Sequence, residues 1–535
     1  MNSRFRFLLP GVCILLGLLR FTPAQAASIS ETNAPRRGGI LRLAFQGDLK
    51  SLDPAIGFDG DTVPLTRLMF RSLLDYDDGT GLVLDQAKDW NISADGKTYT
   101  FHLRPGIRFS NCREVDAEDY IFALERILAP QTGSPGQTYY LDISGAREFA
   151  DGKVPHVRGL RAPDKQTLVI ELEKPQFTFR YVLTMPFASA VPRELVQQYG
   201  KDFQYHLAGS GPYRLASWRR GIHWSLDRNP YYTGADGYFD GVDIMIGGDD
   251  ALMSMMLQRG ELDRVLASPA QALTFKRNPR LRRWLISIDT ANTDYLFMNV
   301  EMKPFDNPTL RRAINYAINK ERLVRLAGGF GVPGRGIVPP SLPWSNPTLP
   351  AYDYSPEKAR ALLREAGYPN GFKTTLWYGN DVRIFGRLAE GIEQDLREIG
   401  IQVELRPLVY SAFQAKAETR NQTAFGVFGW MQDYPDASDF LDVLLNGERI
   451  TDTDCNNSAF YNNPEVNRRL DTAVASMDNA ERTRLFREAE DIVMKDAPWV
   501  PLIHEQVPVL YHPRLRGTTP HPVWLWRYEK MWFAN

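Results

Sequence analysis

The chain has 535 residues, of which 43% are hydrophobic and 24% are charged, and this ordinary composition excludes a disordered tail, a collagen-like fibre and a coiled coil. Lys and Arg number 63 and Asp and Glu number 64, so without a basic excess generic nucleic-acid binding is not expected. The mean hydropathy of −0.34 argues against a multi-span membrane protein. The length predicts about three to four domains, or two large lobes.

The N-terminus has the layout of a secretory signal peptide. Arg4 and Arg6 precede an apolar stretch over residues 7–19, and Ala24-Gln25-Ala26 follows as a small-x-small cleavage site. The apolar stretch is shorter than the ~20 residues that a membrane helix needs, which disfavours an uncleaved anchor. We therefore expect export to the periplasm with cleavage after Ala26, which leaves a mature chain with a net charge of −4.

The cysteines bear on both processing and redox state. Lipid attachment at Cys13 is disfavoured, because Val12 stands where a lipobox has a small residue and because Cys13 lies within the apolar stretch. Export leaves Cys112 and Cys455, an even number in an oxidising compartment, which permits one disulfide. The alternative is two separate thiols, and both alternatives stay open at this stage.

Helices and strands are predicted to alternate along the mature chain. The hydrophobic periodicity predicts strands over residues 39–45, 99–104, 166–172, 295–300, 401–405, 499–503 and 507–511, and helices over 116–128, 308–320, 388–399 and most of 465–494. Asp116 is the expected N-cap of its helix, and Gly400 ends the helix before the 401–405 strand. This helix–Gly–strand succession favours two α/β lobes with an added α+β subdomain.

No motif in the sequence predicts an enzyme. The chain has no GxxxxGK[ST] phosphate loop, no GxSxG nucleophile elbow, no CxxC and no pair of His at helical i, i+4 spacing. Residues 329–334 match GxGxxG, but they follow a helix and carry Pro333 where a phosphate-binding helix would begin, so we interpret them as a loop. A binding protein without metal or cofactor is the favoured class, with a secreted hydrolase as the less favoured alternative.

Six segments in order resemble one family. The chain is similar to the extracytoplasmic solute-binding proteins of the peptide/nickel ABC-transporter class, solute-binding family 5, in almost the whole mature sequence. The segments that carry the resemblance are Ser51–Pro54, Leu84–Asp119, Gly209–Tyr213 with Trp218, Asn307–Lys320, Gly429–Asp436 and Tyr461–Val466.

The resemblance implies a fold and a function. It implies a two-lobed periplasmic-binding-protein fold (type II, cluster C) with an extra α+β subdomain on the first lobe. The implied boundaries are a signal peptide at 1–26, first-lobe segments at 27–60, 185–290 and 497–535, the extra subdomain at 61–184, and the second lobe at 291–496. The implied protein is a monomer that captures short peptides between closing lobes and delivers them to an ABC permease with its ATPase, touching the membrane only through that permease.

Other functions stay open on the same fold. A nickel chelate, haem, an opine or an oligosaccharide could replace the peptide, and a sensor or chaperone-like module could bind peptides without transport. Seven scattered His residues do not indicate a direct metal site.

The resemblance also names residues for the two charged ends of a peptide. It assigns the ligand ammonium to Asp433, with Trp430 beside it, since a carboxylate in a water-excluded cleft makes a strong charge-assisted bond. The alternative is that Asp433 caps the Tyr-Pro-Asp turn. Arg383 or Arg387 would grip the ligand carboxylate, and a solvated arginine at a helix start is the alternative for each.

The resemblance suggests two further contacts for the body of the ligand. Gly209, Ser210 and Gly211 could expose backbone groups to an extended ligand, because glycine permits close approach, or could form a tight crossover turn. Trp377 and Tyr378, together with Trp430, could form apolar pockets, although aromatic residues at such positions are core residues at least as often.

Overall fold

The structure, a computed structural model, describes residues 34–349 and 352–534, so the predicted signal peptide and Cys13 lie outside the described residues. Helices and strands alternate as predicted. The strands are β1 Ile40–Phe45, β2 Leu74–Tyr76, β3 Leu82–Leu84, β4 Ala87–Ile92, β5 Thr98–Leu103, β6 Leu160–Asp164, β7 Thr167–Glu171, β8 Tyr213–Arg219, β9 His223–Arg228, β10 Gly241–Ile246, β11 Arg264–Leu266, β12 Leu285–Asp289, β13 Asn292–Met298, β14 Gly331–Pro333, β15 Lys373–Gly379, β16 Gln402–Leu408, β17 Phe425–Met431, β18 Trp499–Tyr511, β19 Leu515–Arg516 and β20 Trp532–Phe533. The α-helices are α1 Thr62–Met69, α2 Ala117–Leu128, α3 Ala146–Ala150, α4 Phe179–Val182, α5 Arg193–Tyr199, α6 Asp250–Gln258, α7 Pro269–Arg277, α8 Pro308–Ala317, α9 Lys320–Leu326, α10 Pro356–Glu365, α11 Arg383–Glu398, α12 Tyr410–Ala417, α13 Ser438–Leu445, α14 Pro464–Ala475 and α15 Asn479–Asp496.

The first lobe is built on a mixed sheet in the order β18-β11-β1-β10-β9-β8. β1 lies at its centre and runs parallel to both β10 and β11. Leu41 and Leu43 of β1 are fully buried, in a core that also holds Trp224 and Val242. The carboxyl ends of β1 and β11 therefore meet at one edge of this sheet, which is where open α/β sheets bind ligands.

The second lobe is built on a sheet in the order β16-β15-β17-β13-β18. Helix α11 covers it through Leu388, Ile392 and Leu396, which recur every four residues and are completely buried. Gly400 follows this helix with φ of +90°, a left-handed conformation that glycine adopts without steric cost, and β16 begins two residues later. The predicted helix–Gly–strand unit is confirmed, and the helix begins five residues earlier than its pattern predicts.

The extra subdomain has its own four-stranded sheet, in the order β4-β5-β7-β6. Tyr99, Phe101 and Leu103 alternate toward its core, as a half-buried strand requires. Asp116 caps α2 by accepting a hydrogen bond from the Glu118 backbone N–H, as its position predicts. The domain boundaries given above remain a prediction.

One long strand joins the two lobes, which corrects the prediction of two short strands at 499–503 and 507–511. Residues 499–503 of β18 pair with β13 in the second lobe, whereas residues 506–510 pair with β12 in the first lobe. The polar residues between them stay extended because His504 and Glu505 pair with β14. β14 lies within the GxGxxG segment, so that segment is partly an edge strand rather than only a loop.

The chain crosses between the lobes a second time from β12 to β13. Ala291 lies between these strands with φ of +47°, which turns the chain from one sheet to the other. The two crossings, at 289–292 and 503–506, place the end of β17 opposite the first lobe.

The helix predicted over 308–320 is divided into two helices. α8 ends at Ala317, and the Asn319 side chain accepts a hydrogen bond from the Arg322 backbone N–H, which caps α9.

Candidate functional site

Two short segments face each other where the lobes meet. Residues 58–61 precede α1 in the first lobe, and residues 430–433 close β17 in the second. A Cβ placed on Gly60 would lie 4.0 Å from the Cε of Met431. Although it faces the other lobe, the Met431 side chain is 45% exposed.

Asp433 occupies the second lobe's side of this cleft. Its carboxyl group is half-buried and faces the hydroxyl of Tyr139, which the extra subdomain contributes. Burial raises the pKa of Asp433 to about 6, and the hydroxyl of Tyr139 opposes part of that shift. The Tyr139 ring packs against Phe58 with ring centroids 6.3 Å apart. The first lobe, the subdomain and the second lobe therefore all contribute to the surroundings of this carboxylate.

Trp430 lies beside Asp433, as the resemblance implies, and both are tied to a third residue. The Trp430 indole Nε1 donates to Asp439 Oδ2 at 3.3 Å. The Asp433 backbone N–H donates to the same oxygen at 2.9 Å. The Trp430 ring is half-buried against the second-lobe core. Its indole is thus held at the edge of the cleft instead of being enclosed in the core.

A cavity of about 440 Å³ lies beside the 58–61 segment at the carboxyl end of β1. Asp48, Asp59, Asp61 and Asp250 line it, and Lys50 is the single basic residue among the described residues of its lining. Among the described residues, no hydrogen bond reaches the Asp61 carboxylate, and burial raises its pKa. Arg264 faces Asp61 and Arg220 pairs with Asp48 at 3.5 Å, so cations outside the lining offset part of the negative charge of this wall.

The Gly209–Gly211 segment lies against α1. The Gly211 N–H donates to the Met69 carbonyl at 2.7 Å, and the Gly209 carbonyl accepts from the Ser110 N–H at 2.9 Å. A Cβ on Gly209 would stand 2.0 Å from the Met69 carbonyl oxygen, so only glycine fits there. Ser210 is buried with them. The segment thus forms a tight turn against α1 and uses some of its backbone groups there, and its contact with a ligand stays a prediction.

The predicted carboxylate-binding arginines lie at the start of α11. Arg383 is its first residue, and its side chain lies outside the described atoms. Arg387 is exposed one turn later and makes no ion pair with a described residue. Its guanidinium is thus available to a ligand, and the choice between the two arginines remains a prediction.

Trp377 and Tyr378 are neighbours on β15, so their side chains point to opposite faces of the sheet. Trp377 packs with the same core as Trp430, and the Lys416 Nζ lies 4.9 Å from its ring centroid. Tyr378 packs on the face that α11 covers, where a Cβ on Gly386 would lie 3.7 Å from its ring. Both are half-buried core residues, and their contact with a ligand stays a prediction.

Cys112 and Cys455 are two separate thiols in the structure. Cys112 is exposed on a loop of the extra subdomain, whereas Cys455 is buried in the second lobe, where its backbone N–H donates to the Glu418 carbonyl. The permitted Cys112–Cys455 disulfide is therefore not formed, because each thiol is held in a different part of the fold. A disulfide requires Cα atoms within about 7 Å.

This arrangement predicts the accessibility of each thiol. In a chain beginning at Ala27, one thiol should react rapidly with Ellman's reagent under native conditions, and two should react in denaturant without reductant. Cys112→Ser should remove the fast reaction and leave the slow one, because Cys455 is only 1% exposed. Fewer than two reactive thiols in the denatured chain would contradict this assignment.

Sequence reasoning missed Tyr139, Phe58 and Asp439. Asp439 stands in the first turn of α13. Acidic residues are common in the first turns of helices, so nothing in the local sequence marks Asp439 as a neighbour of Asp433 and Trp430. Tyr139 and Phe58 belong to other parts of the chain.

No helix in the described part of the chain has the length and apolarity of a membrane span. Within those same residues, no cluster of His, Cys, Asp or Glu is arranged to hold a metal ion.

Comparison with known proteins decides the family. The profile of the bacterial extracellular solute-binding proteins, family 5 (middle region), matches residues 81–452. The chain belongs to this family. Glutathione-binding protein GsiB of Salmonella paratyphi A is 30% identical over 482 residues, which cover 89% of this chain and 91% of GsiB. The chain is therefore a family 5 solute-binding protein, as its motifs indicate.

Solved structures agree in fold over almost the whole chain. Clavulanic acid biosynthesis oligopeptide binding protein 2 matches with a TM-score of 0.86 and 28% identity, covering 94% of this chain and 96% of its own. The periplasmic binding protein DppA from Helicobacter pylori, in complex with the peptide STSA, matches with a TM-score of 0.76 and 26% identity, covering 94% of this chain and 99% of its own. The two-lobed α/β fold with an extra subdomain is thereby confirmed.

Proposed function

We propose that this family 5 protein is the periplasmic receptor of an ABC importer for short peptides. The observation that carries the proposal is Asp433, a half-buried carboxylate at the meeting point of both lobes and the subdomain. Its pKa of about 6 leaves it ionised at neutral pH, so it offers a negative charge to a ligand ammonium. Trp430 stands beside it as an apolar wall.

The remainder of the cleft supports a zwitterionic ligand. Asp59 and Asp250 line the cavity beside Asp61 and form no ion pair among the described residues, so they lend negative charge to the first-lobe side of the cleft. Arg387 is exposed on α11 and offers a guanidinium to the ligand carboxylate. The relatives agree with this chemistry, since GsiB is named for glutathione and DppA was solved with a peptide.

The proposal extends to location and partners. The predicted signal peptide at 1–26 would place the mature protein in the periplasm as a monomer that needs no cofactor. Closing lobes would bury the peptide, and a permease powered by its ATPase would receive it at the membrane. This chain would then supply recognition and leave energy coupling to its partners.

Native mass spectrometry of protein purified without refolding tests this function. We expect a ladder of excess masses that fragment as short peptides, because a ligand enclosed between two lobes dissociates slowly. A protein purified bare is loaded with trialanine and must gain thermal stability, since binding to the native state raises its melting temperature. A single non-peptide mass, or a metal isotope pattern, would replace the peptide by another solute.

A further inference from the structure

Among the described residues, Asp439 is the side chain bonded to both residues proposed for the ligand ammonium. Its Oδ2 accepts the Asp433 backbone N–H at 2.9 Å and the Trp430 indole N–H at 3.3 Å. It stands in the first turn of α13 and is only 1% exposed. One buried oxygen therefore fixes the two cleft residues relative to each other.

The ionisable groups around Asp439 affect whether its carboxyl group carries a charge. Asp433, Asp436, Tyr139 and Tyr434 face it from the neighbouring elements. Asp436 is already paired with Arg482, so no cation remains for Asp439 among the described residues that face it. Burial and the nearby Asp433 carboxylate both raise the pKa of Asp439 well above its usual range. Burial and repulsion therefore both disfavour a second negative charge beside Asp433, and the two hydrogen bonds that Asp439 accepts do not require one.

We propose that Asp439 is a positioning residue that holds the Asp433 carboxylate and the Trp430 indole in the geometry that receives a ligand ammonium. This rests on the proposed function, because it assumes that Asp433 meets the ammonium. Asp439 holds these two residues by accepting their hydrogen bonds, and not through a negative charge. Removing its oxygen frees the Asp433 backbone and the indole together, while an isosteric amide keeps both bonds.

Two variants of Asp439 separate these roles. Trialanine and N-acetyl-trialanine are the probes, and titration calorimetry measures both. We expect Asp439→Ala to weaken trialanine binding by about tenfold or more, since two buried hydrogen bonds are lost. Binding of N-acetyl-trialanine should change by less than about threefold, because that probe lacks the ammonium. Asp439→Asn should stay within about threefold of wild type for both probes.

Asp442→Asn is the matched control. Asp442 is buried one turn further along α13, where Asn446 and Arg449 bond it within the second lobe. Its replacement should leave both affinities unchanged. If Asp439→Ala does not fold, Asp439→Leu, which keeps the branching at Cγ but offers no acceptor, takes its place.

A ligand-free readout tests the geometry itself. In ¹⁵N-indole-labelled protein, Asp439→Ala should shift the Trp430 indole resonance, which Trp430→Phe identifies, and Asp439→Asn should shift it much less. An unmoved resonance, or equal weakening of both probes, overturns the positioning role and leaves the proposed function standing. An asparagine variant as weak as alanine overturns the acceptor role in favour of charge. A wild-type protein that does not prefer trialanine over its acetylated form removes the ammonium subsite itself, and the role of Asp439 with it.

Discussion

Asp433→Ala should weaken binding of a free-amine peptide by roughly 2–5 kcal/mol, because a desolvated ammonium loses its direct charge partner in the cleft. The N-acetylated form of the same peptide should lose little, since it brings no ammonium to that position. The half-buried position of Asp433, facing Tyr139 from another domain, supports this expectation. Titration calorimetry of both peptide forms measures the difference directly.

The matched control for this prediction is Asp442→Asn, which removes a buried acid away from the cleft. Its affinities for both peptide forms should equal those of wild type. Equal losses for the free and the acetylated peptide on Asp433→Ala would contradict the ammonium role. The turn-capping alternative would then hold, and a stability loss without peptide discrimination would accompany it.

The pH dependence of binding follows from the same carboxylate. Asp433 must be ionised to pair with an ammonium, and burial raises its pKa to about 6 in the unliganded protein. Affinity for a free-amine peptide should therefore level off about one pH unit above 6 and stay constant until the peptide amine itself deprotonates. It should fall by up to about tenfold per pH unit below 6. Asp433→Ala should abolish this fall in affinity. A fall that persists in this variant would come from acid destabilisation of the whole protein.

Arg482→Met should destabilise the second lobe by about 3–5 kcal/mol, because it leaves a carboxylate buried without a partner. Arg482 Nη2 donates to both oxygens of Asp436, at 2.7 and 2.8 Å, and both side chains are 0% exposed. The guanidinium also stacks 4.1 Å from the ring centroid of Phe177 in the extra subdomain. Thermal unfolding should show the loss as a lowered melting temperature.

Two further variants control the Arg482 prediction. Arg484→Met lies on the same helix, but it breaks only an exposed pair with Glu488, so its effect should stay within about 0.5 kcal/mol. Arg482→Met combined with Asp436→Asn removes the orphaned charge and should recover part of the stability. A double variant no more stable than the single one would show that packing on Phe177, and not the buried charge, dominates.

The local elements and the family are readable in the amino-acid sequence alone, and so is one residue of the proposed site. Asp116 as a cap, the apolar spacing of α11 and Gly400 at its end depend on contacts within a few residues, so their patterns are visible in the chain. The family motifs point to Asp433, because the segment around it is continuous. They leave the role of Gly209–Gly211 open, because glycine permits close approach to α1 as readily as to a ligand.

The surroundings of Asp433 depend on the tertiary structure. Tyr139 reaches it from the subdomain, and Asp439 reaches it from the next helix. β18 runs unbroken through both lobes because β14 pairs with its polar middle, a partner that local periodicity cannot reveal. The two thiols likewise lie in different parts of the fold. These outcomes depend on packing between residues far apart in the chain, and such packing fixes the geometry of a binding cleft.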